Sequence, residues 1–491
     1  MEDPTWLADA FGADLRFGTG GIRCAMGLGP NRLNRLTVAR VAKALATVLG
    51  KGKVVISYDT RDHSREFAET VACVLSASGL RVLLFSLPMP TPVLSFAIRD
   101  LGCAAGVSIT ASHNPREDNG IKVYNSDGVQ ATDKLCGLIE ARMDSVSPFE
   151  VDVVPFEDGI SDGSIAYLGA SVLDAYVSAV LSQRAGVDCS GLQVIYSSLH
   201  GTGLDAATRV MRAIGVSYSV VEAQCIPDGS FTTCPKPNPE LVGAMEAGTA
   251  QMLSEGAQLF IATDPDAGRL GVVVNNCGSA IHLSGDDVGL LLFDWLCRVT
   301  DLPAHPIAYS TIVGTPLAND IAAAYGVEMR RTLTGFKYIG EQVESLSKND
   351  NAGCFMFAME ESLGYLHGTY ARDKDGVLAL MLVCECAAWH TRRGYDLVDA
   401  LRGLYKRYGF VANRQVSVFR PNEKGKRAIQ SFMRSLRADA PCEIGAMSVS
   451  RVIDYSEGVP MPVSGSADDA APAPMLPKKN VLELGSSTAV K

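Results

Sequence analysis

Residues 53–58 read KVVISY, residues 81–87 RVLLFSL and residues 103–109 CAAGVSI, three apolar runs separated by helical stretches. Phe67, Val71, Val74 and Leu75 recur at helical spacing in the first interval, and a helix after Pro92 fills the second. Strands joined by helices pair in parallel, because the crossover returns the chain to the same end of the sheet. A βαβαβ block is therefore expected. A further helical stripe, Val38, Val41, Leu45, Val48 and Leu49, precedes it.

The pattern recurs downstream. After a linker at 148–164, a helix around 172–181 leads to strands at 192–196, 217–222 and 258–262 with helices between them. A helix at 286–295 then leads to strands at 307–310, 327–332 and 354–358. The expected fold class is α/β, with three tandem βαβ-type domains of mainly parallel sheets. The remainder reads differently, as a helix over 422–437, a strand over 448–454, a Pro/Ala/Ser/Asp-rich linker at 457–477 and the start of a strand at 479–491. It predicts an incomplete C-terminal α+β domain. The expected boundaries are 1–165, 166–282, 283–412 and 413–491.

Composition narrows the function. Of 491 residues, 47% are hydrophobic and 20% charged, which fits a folded chain. The net charge of −10, with no basic block, argues against nucleic acid as a partner. No apolar run is long enough to span a bilayer, and Met1 to Ala10 carries acids without the apolar core of a secretory signal, so no membrane association is expected. The thirteen Cys show no paired framework, so reduced thiols and a cytoplasmic location are expected. Cys384 and Cys386 fall in an apolar helical pattern and read as core.

Each α/β block ends its last clear strand in a polar loop: Thr110-Ala111-Ser112-His113-Asn114-Pro115, Thr263-Asp264-Pro265-Asp266-Ala267-Gly268-Arg269, and Met359-Glu360-Glu361-Ser362-Leu363-Gly364. Ligands of open parallel sheets bind outside the carboxyl ends of the strands, so three such loops can line one site. A turn closed by Asn114-Pro115 aims the Ser112 hydroxyl outward, with His113 able to donate to a phosphate oxygen. Asp264 and Asp266 alternate along an extended loop, a spacing that can turn two carboxylates toward one Mg²⁺, with Arg269 able to neutralise a phosphoryl group. Glu360 and Ser362 can bond sugar hydroxyls. Arg372-Asp373-Lys374-Asp375-Gly376 opens a helix, and Phe17-Gly18-Thr19-Gly20-Gly21-Ile22-Arg23 is a Gly-rich loop carrying one cation.

Together these stretches resemble the α-D-phosphohexomutase superfamily of phosphoglucomutases and phosphomannomutases. Leu199-His200-Gly201-Thr202-Gly203, the run from Thr332 to Lys337 (TLTGFK) and the Asp373–Gly376 motif look most like its type-2 phosphoglucomutase group. The resemblance implies a four-domain fold and interconversion of sugar 1- and 6-phosphates, of glucose or possibly mannose, through a phosphoserine and a sugar bisphosphate that also serves as activator. It implies Ser112 as phosphoryl carrier; Mg²⁺ on Asp264, Asp266 and Ser112; Arg23 and Lys122 in proton transfer; and Thr334 and Gly335 selecting the sugar's orientation. Glu360, Ser362 and Lys374 would hold its hydroxyls.

Two departures accompany the resemblance. Gly268 stands where the family's metal loop has a third acid. The chain is also expected to lack the family's loop for the non-reacting phosphate, since it ends at Lys491 in the strand leading to it, which predicts sharply reduced kcat/KM or none. Two other readings remain open. A phosphatase could use Asp264 as nucleophile, or a degenerate paralogue could bind sugar phosphates with little or no turnover.

Overall fold

In the computed structural model, which describes residues 4–413, 416, 418, 420, 422–445, 447–456, 459–461, 476 and 478–485, the apolar runs of the sequence form the central strands of three sheets. The chain divides into one unit of residues 10–330 and 334–413 and another of residues 1–9, 331–333 and 414–491.

The first sheet holds β1 (Ile22–Ala25), β2 (Lys53–Tyr58), β3 (Arg81–Phe85), β4 (Ala105–Ile109), β5 (Asp118–Asn125) and β6 (Ile165–Leu168), in the order β1-β5-β4-β2-β3-β6. Val54, Val55 and Ile56 of β2 are fully buried, as a strand covered on both faces requires. β2 pairs in parallel with β3 and β4, placing Tyr58 beside Ile109 at the carboxyl ends. The helix Arg35–Leu49 starts at a capping box, Asn34 with Thr37, and buries the predicted stripe at Val38, Val41 and Leu45. Two features depart from expectation. β5 runs antiparallel to β4 and β1. The stretch read as a linker contains the helix Phe156–Asp162, and β6 extends the first sheet to Leu168, past the expected boundary at 165.

The second sheet, in the order β11-β10-β9-β7-β8, comprises β7 (Gln193–Ser197), β8 (Ser217–Val220), β9 (Leu259–Thr263), β10 (Leu270–Asn276) and β11 (Ser279–Leu283). Its predicted strands β7, β8 and β9 are parallel, while β10 and β11 add an antiparallel hairpin. The third sheet runs β13-β12-β14-β15, with β12 (Ile307–Thr311), β13 (Glu328–Thr332), β14 (Phe355–Glu360) and β15 (Gly364–Leu366). β14 is parallel to β12 and antiparallel to β15, so all three sheets are mixed. Each added antiparallel strand follows a polar loop and turns the chain straight back along the strand that led into it. Asp375 caps the buried helix Gly376–Thr391, which carries Cys384 and Cys386 in its core.

The second unit holds the helix Asn422–Ala438 and the strands β16 (Glu443–Ile444), β17 (Met447–Ser448), β18 (Arg451–Asp454), β19 (Val459–Met461) and β20 (Leu482–Gly485). β18 lies between β19 and β20, both antiparallel to it, and Arg437 bonds both oxygens of Asp454. β19 is a correction, since 457–477 reads as linker in the sequence. Residues 457–458, 462–475 and 477 of that stretch, and 486–491 of the expected last strand, lie outside the described residues. No helix among the described residues is long and apolar enough to cross a membrane.

Candidate active site

The parallel pairing of the core strands sends three loops to one place. Ser112 follows β4 and sits at φ 55, a left-handed conformation that costs a non-glycine residue about 1 kcal/mol or more. Its N–H donates to Thr110 Oγ1 at 2.8 Å. Its hydroxyl then faces the second domain, where Oγ donates to Asp264 Oδ2 at 2.6 Å. The other oxygen of Asp264 accepts from the Arg269 N–H at 2.9 Å. Asp266 is joined to the first domain through Lys122 Nζ and through Thr91 Oγ1 at 2.8 Å. Ser112, Lys122, Asp264 and Asp266 are all 2% exposed or less.

The third domain closes against the second through backbone. Leu270 N donates to Leu363 O at 3.1 Å, and Gly376 N to Ala267 O at 2.9 Å. Gly335, at φ 114, donates its N–H to Glu360 Oε1 at 3.0 Å. A Cβ there would lie 2.9 Å from the Thr19 methyl, so the glycine loops of the first and third domains need close approach. Lys374 passes between Gly364 and Gly268; a Cβ on Gly364 would come within 2.7 Å of its stem. Its Nζ lies 3.6 Å from Asp373 Oδ1 and 5.6 Å from the centre of the Phe336 ring.

Electrostatics separates the groups. Burial, with the nearby charge of Asp266, pushes the Asp264 carboxyl up to about 6. Burial also works to raise Asp266, but the Lys122 ammonium and its hydrogen bond outweigh it and hold this carboxyl well below the usual range. His113 is driven well below its ordinary value by burial and by Arg269 and Arg23, so its imidazole is neutral at pH 7. Its Nδ1 is 3.3 Å from Ser112 Oγ. Burial also lowers the Arg23 guanidinium, with Asp266 opposing. For Lys374, burial is outweighed by Asp373 and Glu360, and the ammonium is raised.

Among the described residues, the buried atoms without a hydrogen-bond partner include three from the residues singled out here: Arg23 Nε, Arg269 Nε and Asp266 Oδ1. Two are cationic donors suited to phosphoryl oxygens, and the third is a carboxylate oxygen suited to a hard cation. Asp264, Asp266 and the Ser112 oxygen therefore fit Mg²⁺ as two carboxylates and one hydroxyl. Among the described residues, no group of three His, Cys, Asp or Glu side chains is placed to hold a metal. Gly268 contributes no ligand. Its backbone lies outside the left-handed region, and a Cβ there would meet Lys374 at an ordinary 3.6 Å.

Of the residues singled out from the sequence, Arg23, His113, Lys122, Asp264, Asp266 and Arg269 gather around the Ser112 hydroxyl. Arg269 Nη1 also pairs with Glu240 at 3.3 Å. Glu360 and Gly335 are bonded to each other, while Thr334 is exposed and Ser362 half-buried. Glu360 ends β14 rather than opening a loop. The sequence reading missed Asp59 and Arg61, which brace the serine loop, Tyr124, whose hydroxyl donates to Asp373 Oδ2 at 2.7 Å, and Thr91. The signal available for the first two was Tyr58 running from an apolar strand into Asp-Thr-Arg-Asp.

Comparison with known proteins gives the same architecture. Residues 14–149, 174–278 and 284–408 match the families described as phosphoglucomutase/phosphomannomutase alpha/beta/alpha domains I, II and III. A phosphoglucomutase of Staphylococcus haemolyticus is 33% identical over 487 residues, covering 98% of this chain and 88% of that protein. One from Staphylococcus aureus is 35% identical over 457 residues, covering 91% and 81%. The crystal structure of a putative phosphomannomutase from Thermus thermophilus is similar with a TM-score of 0.68 at 26% identity, covering 81% of this chain and 84% of that one.

Proposed function

Because the chain belongs to the phosphoglucomutase/phosphomannomutase family and is a phosphohexomutase, we propose that Ser112 carries the phosphoryl group between two hydroxyls of one sugar. The observation that carries this reading is the 2.6 Å contact of Ser112 Oγ with Asp264, beside Asp266 and Lys122.

In the first half-reaction the Oγ–P bond of phosphoserine breaks and a bond forms from phosphorus to a sugar oxygen, giving a sugar bisphosphate. The sugar hydroxyl loses its proton and the Ser112 oxygen gains one as its bond to phosphorus breaks; Lys122, the ammonium paired with Asp266, relays the exchange, giving a proton to the serine oxygen and taking the sugar's. Arg23 remains a cation and stabilises the transferring oxygens together with Arg269. In the second half-reaction Ser112 Oγ attacks the other phosphoryl group, and its proton passes to the leaving sugar oxygen. Neutral His113, its Nδ1 3.3 Å from Ser112 Oγ, lies beside the serine without adding a charge. Asp264, Asp266 and the serine oxygen would hold Mg²⁺, which supplies charge neutralisation on the phosphoryl group when bound.

Glu360, Ser362 and Lys374 hold sugar hydroxyls, with Thr334 and Gly335 setting the sugar's orientation. Glucose 1- and 6-phosphate are the preferred pair, since relatives at 33% and 35% identity are named phosphoglucomutases. A sugar bisphosphate supplies the initial phosphate. Thirteen unpaired cysteines fit a reducing, cytoplasmic setting. The aspartate-nucleophile reading is weaker, because both oxygens of Asp264 are already engaged, by Ser112 and by the Arg269 N–H. One observation favours a weakened enzyme of the same chemistry: Gly268 leaves the metal two carboxylates.

The test is conversion of glucose 1-phosphate to glucose 6-phosphate with Mg²⁺ and glucose 1,6-bisphosphate. Turnover that Ser112→Ala abolishes supports the reading. Turnover surviving in that variant refutes it.

A further inference from the structure

We propose that Arg61 is the positioning residue that fixes Ser112 in its transfer-competent conformation, and that Phe231 of the second domain holds Arg61 to this task; the inference rests on the phosphoserine reading above. Ser112 is held at φ 55 in a loop of 110–118 with few bonds of its own. Arg61, 3% exposed, supplies four more from outside the loop. Its Nη2 donates to Ser112 O at 2.7 Å and to Asn114 O, and its Nη1 to Pro115 O at 2.8 Å and Asp118 O at 3.0 Å. Four carbonyls of one loop thus converge on one planar fork, a geometry that lysine cannot reproduce.

The buried charge needs compensation, and Asp59 lies 3.4 Å from Arg61 Nε. Asp59 is itself fixed by Ser64 Oγ at 2.7 Å, by the Arg61 N–H at 3.0 Å and by Thr110 Oγ1, the same hydroxyl that receives the Ser112 N–H. The network closes on the serine from both sides of its peptide unit.

The second domain seals it. The Phe231 ring, fully buried, lies 4.9 Å from the Arg61 guanidinium carbon, and His200 meets that ring edge-on at 6.2 Å. His200 is bonded to Ile226 O at 3.0 Å and to Thr233 Oγ1 at 2.7 Å, so it pins the segment carrying Phe231. Arg116 N donates to Pro235 O at 3.3 Å, and a Cβ on Gly229 would strike Asp62 at 2.3 Å. The segment 226–235 therefore packs directly on the loops of Arg61 and Ser112. The domain that brings Asp264 to the serine hydroxyl also keeps water from the arginine that orients it. These groups are buried and engaged with protein partners, so their loss falls on transfer rather than on substrate binding.

The test compares full-length wild type, Arg61→Lys, Arg61→Met and Phe231→Leu. Radiolabelled glucose 1,6-bisphosphate is mixed with each, and the rate of label appearing on the Ser112 peptide is followed, alongside kcat, KM and thermal melting. Arg61→Lys and Arg61→Met are expected to label about 100-fold more slowly with KM within about threefold, and Phe231→Leu about tenfold more slowly. Wild-type labelling in Arg61→Lys overturns the proposal, as does a loss that only tracks the unfolded fraction. If the Arg61 variants do not fold, Phe231→Leu carries the test, because it leaves every Arg61 hydrogen bond in place; an unchanged rate there overturns the proposal. No label on Ser112 of the wild type fails the phosphoserine reading itself, a separate result.

Discussion

Under the proposed reading, the phosphoryl side and the sugar side of the site are built differently. On the first, Ser112, Lys122, Asp264 and Asp266 are buried and already paired with one another, and Arg61 spends its two Nη groups on the serine loop. On the second, Thr334 is exposed and Ser362 half-buried, and beside these two only Glu360, itself buried, is already bonded, accepting from the Gly335 N–H. Phosphoryl transfer develops charge at fixed oxygens, and groups already in position need no reorganisation when it develops. A sugar that must turn over between two half-reactions needs the opposite, hydroxyl partners that can be engaged in two orientations. The contrast teaches that rigidity is placed where the chemistry is shared and openness where the substrate moves.

The contrast can be broken most forcefully on its rigid side. Ser112→Ala should abolish mutase turnover, a fall of about 10⁴-fold or more, with the chain still folded by circular dichroism. Asp264→Asn should cost about 10²–10³-fold in kcat and weaken Mn²⁺ binding measured by electron paramagnetic resonance. A smaller effect, a gain, is expected at the one gap in this side. A Cβ at Gly268 meets only ordinary contacts, so Gly268→Asp should tighten Mn²⁺ binding about tenfold and raise Mg²⁺-dependent turnover. An unchanged metal affinity would show that position 268 does not face the cation.

On the open side the expected signature is in KM. Glu360→Gln and Ser362→Ala should each raise KM for glucose 1-phosphate about tenfold while Ser112 still takes label from the bisphosphate at the wild-type rate. The smallest effect concerns Glu361. Burial and the neighbouring Glu360 push its carboxyl up to about 7, while Thr311 donates to it at 2.6 Å. A carboxyl whose folded value is raised binds its proton more tightly in the native state than in the unfolded chain. Stability from this group is therefore present below the ordinary glutamate range and lost as pH rises through about 7. Glu361→Gln should flatten the melting temperature between pH 5 and pH 8 by an amount worth about 1–3 kcal/mol.

Much of the rigid side was legible in the sequence because it sits at the ends of strongly apolar strands. Thr110 to Pro115 and Asp264 to Arg269 each follow a run of buried residues, and strand polarity alone sends both loops to the same end of their sheets. What was not legible is tertiary. Arg61 and Asp59 look like an ordinary turn before a helix, and nothing local announces that Arg61 will reach four carbonyls more than 50 residues away. Phe231 lies in a loop with no periodicity and acts on another domain. The antiparallel strand β5 was hidden because Asp118, Asn119, Gly120 and Lys122 interrupt its apolar pattern, and the glycine is there for packing. A Cβ on Gly120 would lie 2.4 Å from Ile22 O and 2.6 Å from Thr110 O. Glu360 was assigned to a loop because its charge suggests one, whereas it ends a buried strand, 4% exposed, and its carboxylate accepts from the Gly335 N–H.

The most direct test is to locate the covalent phosphate. Wild type is incubated briefly with labelled glucose 1,6-bisphosphate and Mg²⁺, then digested, and the labelled peptide is sequenced and challenged with acid and with hydroxylamine. A seryl phosphate survives both, and the account predicts it on the peptide containing Ser112. A hydroxylamine-labile acyl phosphate on the peptide containing Asp264 would contradict it.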